Sequence, residues 1–184
     1  MIIKLNNLEK YKNIIFFDVE YDQNSLVQVA FLILGENEPN MFELQKSVNL
    51  YVKQSHSLTP FFVKYTNITD EFLCDNGIDL AGARTLVDEV ILNFNFDNTL
   101  VVSHGIKNDL DLLFNNNINL KQIPNYYCTY KNAKRLLKRD SKLTLKDIAA
   151  EGCYYMFDEH NAYADVWATL FAFCYLNELE FGIN

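Results

Sequence analysis

The chain has 184 residues, with 16 Lys and Arg against 24 Asp and Glu, for a net charge of −8. So acidic a chain does not coat nucleic acid through a broadly positive surface, because that mode of binding neutralises phosphates with Lys and Arg. At 49% hydrophobic and 14% aromatic residues it buries a sizeable core, which excludes disorder, and its length fits one domain over residues 1–184. No apolar run nears the roughly 20 residues of a membrane-spanning helix. The start, MIIKLNNLEKYKN, lacks the basic-then-apolar order of a secretory signal, so a soluble, cytoplasmic chain is expected. Cys74, Cys128, Cys153 and Cys174 form no CxxC pair and read as reduced, packed thiols.

In chain order, NIIFFDVEY predicts a strand that begins fully buried, and SLVQVAFLILG a second strand after a short DQN turn. FELQKSVNLYV predicts a third, which completes an antiparallel meander. After Pro60 the pattern changes, and apolar residues recur at helical spacing from Leu80 to Phe94. TLVVSH then reads as a buried strand, DLDLLFNN as a helix beginning near Asn108, and NYYCT as a short strand. YKNAKRLLKR and LTLKDIAAEG read as helices, the second closed by Gly152, and a last helix runs from about Asn161 to about Leu179. This order predicts an α/β fold with a mixed sheet, a meander followed by parallel strands, flanked by helices.

Three acidic features can carry chemistry. Asp18 and Glu20 sit two apart on the first strand, so both point to one face about 7 Å apart along it, a spacing that straddles two metal ions roughly 3.5–4 Å apart. Taken singly, an apolar run followed by DxE is also an ordinary polar strand end. In HGIKND, Asp109 stands at a helix start just past a strand end, where ligands bind in open α/β sheets. Asp111 is the competitor, but two helical residues turn about 200°, so it faces away. Asp109 also suits the bland reading of a helix-start acid. In EHNAYADVW, His160 precedes Asp165 by five residues, which places His160 on the loop leading into the last helix. A histidine there can take a proton from water, and it can equally be a surface loop residue.

In order, spacing and element type these features resemble one known pattern, that of the DEDDh 3′-to-5′ exonucleases, the family that includes the proofreading epsilon subunit of bacterial DNA polymerase III, ribonuclease T and oligoribonuclease. FFDVEY is similar to the first motif, VVSHGIKNDLDLL to the second and EHNAYADVWATLFAF, with its HxxxxD spacing, to the third. YTNITDEFL and SKLTLKDIAAEG resemble the family's connecting segments, and the likeness runs from about Asn13 to Leu179. Two departures stand out. Tyr21 and Asp22 replace the two small residues usual after the glutamate, and His104-Gly105-Ile106-Lys107-Asn108-Asp109 replaces HNxxFD.

The resemblance implies a ribonuclease H-like fold and a metal-dependent exonuclease that releases nucleoside 5′-monophosphates from single-stranded 3′ ends of DNA or RNA. It implies two Mg²⁺ (or Mn²⁺) held by Asp18, Glu20, Asp109 and Asp165, with His160 as the general base. Val19 would offer its backbone to the terminal sugar. Tyr21 would stack on or wedge beside the terminal base, or fill ordinary packing space. A polymerase or other nucleic-acid-processing complex is a possible partner. The alternative from another class is a non-catalytic nucleic-acid binding module of the same fold, and an internally cutting phosphodiesterase is disfavoured by the HxxxxD element.

Half of the basic residues lie between Lys121 and Lys146, a segment with a single acid, Asp140, and a charge of +7. Lys131, Lys134, Arg135, Lys138, Arg139 and Lys142 can guide a strand toward the site, or form the solvated face of amphipathic helices.

Overall fold

The computed structural model describes residues 1–138, 143–155 and 159–182. Its centre is a six-stranded sheet built from β1 (Ile2–Lys4), β2 (Asn13–Asp22), β3 (Ser25–Glu38), β4 (Met41–Tyr51), β5 (Thr99–Ser103) and β6 (Asn125–Cys128), in the order β1-β4-β3-β2-β5-β6. β2, β3 and β4 form the antiparallel meander, and β5 and β6 join β2 in parallel. Gln23 and Asn24 make the β2–β3 turn, both at positive φ (48° and 69°), the two-residue geometry whose twist matches that of paired strands.

Among the described residues seven α-helices flank the sheet: α1 (Pro60–Thr66), α2 (Asp70–Asn76), α3 (Leu80–Ile91), α4 (Ile106–Asn115), α5 (Thr129–Leu137), α6 (Leu145–Glu151) and α7 (Ala162–Phe181). Alternation along β2 decides what each face buries. Ile15, Phe17 and Val19 pack with α3 and α4 residues such as Val87 and Leu113, whereas Ile14 and Phe16 pack against Val166, Leu170 and Phe173 of α7. Asp18 and Glu20 continue the α7 face of the strand beyond Phe16, where the apolar cover stops. The β2–β5 ladder also ends there, at Phe16 with Val102.

Three elements are absent from the sequence expectation and two differ from it in their bounds. β1, α1 and α2 are three to seven residues long, too short to show a period. α1 instead carries the local signs of a helix start, with Thr59 as N-cap accepting from the Phe62 N–H and Pro60 in its first turn. α4 begins at Ile106, two residues before the expected Asn108, and α7 reaches Phe181. Among the described residues no helix is long and apolar enough to cross a membrane.

Candidate active site

Asp18 is half-buried at the centre of the site. Burial pushes its carboxyl well above the usual range, and the charges of Asp165, Asp109 and Glu20 push it further, while the Val19 N–H donates to it and partly offsets the rise. Glu20, two residues on, is raised to about 8 by burial and then by Asp165 and Asp109. Such mutual influence requires that strand β2, the start of α4 and the first turn of α7 deliver their acids to one place.

Asp109 is held from two sides: the Ser103 hydroxyl at the end of β5 donates to its carboxylate, and the Gly105 backbone bonds to it. Burial raises its pKa and these bonds hold the rise down. Its competitor Asp111 points to solvent, pairs with Lys121 at 2.5 Å and is lowered by that bond. The helical angle between the two residues separates them as the sequence predicts.

His160 takes a left-handed backbone, φ 62°, immediately before the α7 N-cap Asn161. Its ring is exposed and meets the Tyr65 ring edge-on at 5.3 Å. One ligand atom each from Glu20, His160 and Asp165 lies within 4.8 Å of the others. Asp18, Asp109, Asp165 and His160 line a cavity of about 560 Å³, whose lining is completed by Tyr130 and residues 143–146 among others.

The second histidine of the cavity, His104, is of a different kind. Its Nδ1 lies 3.0 Å from Thr129 Oγ1, and burial lowers its pKa to about 4, so it is a neutral wall at ordinary pH. Sequence reasoning missed this wall, together with Ser103, because both depend on the β5–β6 pairing that sets Ser103 opposite Cys128. It also missed the bonds of Asp22, whose buried carboxylate accepts from Thr59 N–H at 2.8 Å and Thr59 Oγ1 at 2.6 Å.

The expected substrate-contacting residues are dispersed. The Val19 side chain turns away into the α3–α4 core, and Tyr21, which follows Glu20 on β2, is 49% exposed. Lys134 lies over the ring of Tyr130, 4.8 Å from its centroid, and so borders the cavity. Lys138 is exposed at the end of α5, Arg135 is taken up by Glu180, and Arg139 and Lys142 fall outside the described residues.

A mixed sheet that gathers four acids where its strands end, with an imidazole at the rim, defines a nuclease of the ribonuclease H-like class. The exonuclease family model matches residues 15–173, and the chain belongs to that family, in its DEDDh branch. No curated protein matches it in sequence. Among solved structures it is similar to E. coli exonuclease I in a zinc-bound complex with single-stranded DNA (TM-score 0.68, 15% identity, 92% of this chain and 41% of that one). It is similar also to a full-length 3′-exonuclease (0.68, 14%, 92% and 61%) and to exonuclease I of Methylocaldum szegediense (0.67, 19%, 90% and 40%). At these identities the likeness is one of fold, and the chain spans about two fifths of the exonuclease I chains.

Proposed function

We propose that this chain removes nucleotides one at a time from single-stranded 3′ ends and releases nucleoside 5′-monophosphates. The observation that carries the reading is the convergence of Glu20, His160 and Asp165 within 4.8 Å beside the half-buried Asp18 and Asp109. Four carboxylates that repel one another suit a pair of hard, oxygen-seeking divalent cations, Mg²⁺ or Mn²⁺. Asp18, Glu20, Asp109 and Asp165 would hold them. Bound there, the ions supply acidified water and neutralise charge on the phosphate oxygens.

The protein's own groups supply the rest. His160, exposed at the rim and next to Glu20 and Asp165, takes the proton from the attacking water. Ser103 and Gly105 keep Asp109 turned inward, and the Val19 N–H does the same for Asp18. Tyr21 would meet the terminal base, and the Val19 backbone the terminal sugar. Lys134, with Lys138 further along α5, draws the remaining strand toward the cavity. Single strands fit better than duplex, because the terminal bases must be unstacked for the last phosphate to reach the acids.

The test offers linear and circular single strands of one sequence with Mn²⁺. The linear strand should shorten from its 3′ end while the circle stays intact. Cutting of the circle would show an internally acting nuclease, and binding without shortening a non-catalytic module.

A further inference from the structure

Gln28 is the one polar residue in the run from Leu26 to Leu34 of β3, and it is wholly buried. A leucine or methionine would fill that space without the cost of burying an amide, so the amide's bonds call for a reason. Nε2 donates to Asn49 Oδ1 at 2.9 Å on neighbouring β4 and to Asn161 Oδ1 at 3.3 Å. Oε1 accepts from the Ala162 N–H at 3.0 Å. Asn161 Oδ1 in turn caps α7 by accepting from the N–H groups of Tyr163 and Ala164.

These bonds join two parts of the site. Gln28 stands opposite Glu20 in the β2–β3 register. Asn161 and Ala162 directly follow His160 and stand within one turn of Asp165. His160 itself keeps a left-handed backbone, which a non-glycine residue holds only when its surroundings fix it.

We propose that Gln28 is a positioning residue, a buried clamp that fixes the start of α7 so that His160 and Asp165 meet Glu20 in working geometry. The proposal rests on the exonuclease reading and deepens it. Gln28 touches none of the acids' partners in the reaction; it acts through the backbone of residues 161 and 162.

The experiment compares wild type with Gln28→Met and Gln28→Glu, using single-turnover and steady-state cleavage of a single-stranded oligonucleotide, Mn²⁺ affinity, and amide exchange at Ala162. Gln28→Met should lower kcat about 10- to 100-fold, as expected of a small misplacement of reacting groups. KM should stay within about threefold, since the substrate-contacting surface is unchanged. Exchange at Ala162 should accelerate and Mn²⁺ should bind more weakly. Gln28→Glu, which keeps an oxygen for the Ala162 N–H, should restore protection there and recover part of kcat.

A core variant remote from the site, Leu5→Ala, supplies the control for lost stability and should keep kcat. If Gln28→Met does not fold, Ala162→Pro removes the same bond from the helix side. Proline suits a first helical position, and Asn161 already has the extended backbone (φ −121°, ψ 114°) that precedes one. An unchanged kcat in either variant, or an unchanged Ala162 exchange rate in Gln28→Met, overturns the proposal. Should wild type release no nucleotide, the exonuclease reading fails, and Ala162 exchange with Mn²⁺ affinity still decides whether the clamp exists.

Discussion

Asp18 concentrates the conflict on which the site is built, because burial and three neighbouring acids all oppose its charge. Removing that charge should therefore help the metal-free fold. Asp18→Asn is expected to raise the stability of the metal-free protein by on the order of 1–3 kcal/mol, while abolishing the further stabilisation given by Mn²⁺. Thermal denaturation with and without Mn²⁺ measures both effects. His160 poses a different question, since its ring lies close enough to Glu20 and Asp165 to ligate as well as to accept a proton. As the base, its loss in His160→Ala should lower kcat roughly 10²- to 10⁴-fold with Mn²⁺ affinity nearly unchanged. Weakened Mn²⁺ binding whose activity returns at high Mn²⁺ would assign it to the metal instead.

At the scale of elements, the site depends on how α1, α4 and α7 are fastened to the strand ends. Asp22 departs from the small residue expected after the first motif, and its buried carboxylate holds the N-cap residue of α1, the helix that sets Tyr65 against His160. Asp22→Ala would leave the Thr59 N–H without that acceptor and should cost about 1–3 kcal/mol in urea denaturation. Asp18, Glu20 and the choice of Asp109 over Asp111 were legible in the sequence, because strand and helix periods fix which face a side chain takes. His160 was legible because a residue just ahead of a helix start need not follow the helical angle. Gln28, Ser103 and the Asp22–Thr59 bonds were not, since each acts on a partner brought near by strand pairing or chain return. The short β1, α1 and α2 fell below the length at which periodicity shows.

For the whole molecule, the net charge of −8 is a poor guide to partners, because part of it belongs to the acidic centre. Glu20 ordinarily titrates near 4.5 and is raised to about 8 in the fold. Between those values the folded state binds more protons than the unfolded one, so the metal-free protein should lose stability as pH rises through that window, by up to about 1.4 kcal/mol per pH unit for each such group. Mn²⁺ should reverse the trend, and denaturation midpoints from pH 5 to 8 measure it. In the proposed function the exposed Lys134 and Lys138 would act over a longer range. Reversing charge at Lys134 and Lys138 should lower kcat/KM at low salt and flatten its salt dependence, and an unaltered salt slope would reduce them to a solvated helix face.

The proposed function requires four acids and one histidine to form a metal-dependent centre for cleavage at 3′ ends. It is tested most directly by identifying the products of matched single-stranded DNA and RNA oligonucleotides incubated with Mg²⁺ or Mn²⁺, with EDTA, and with the Asp165→Asn protein. Nucleoside 5′-monophosphates should accumulate with either metal and wild-type protein, and neither with EDTA nor with Asp165→Asn. Normal turnover by Asp165→Asn, or release that persists in EDTA, would contradict it.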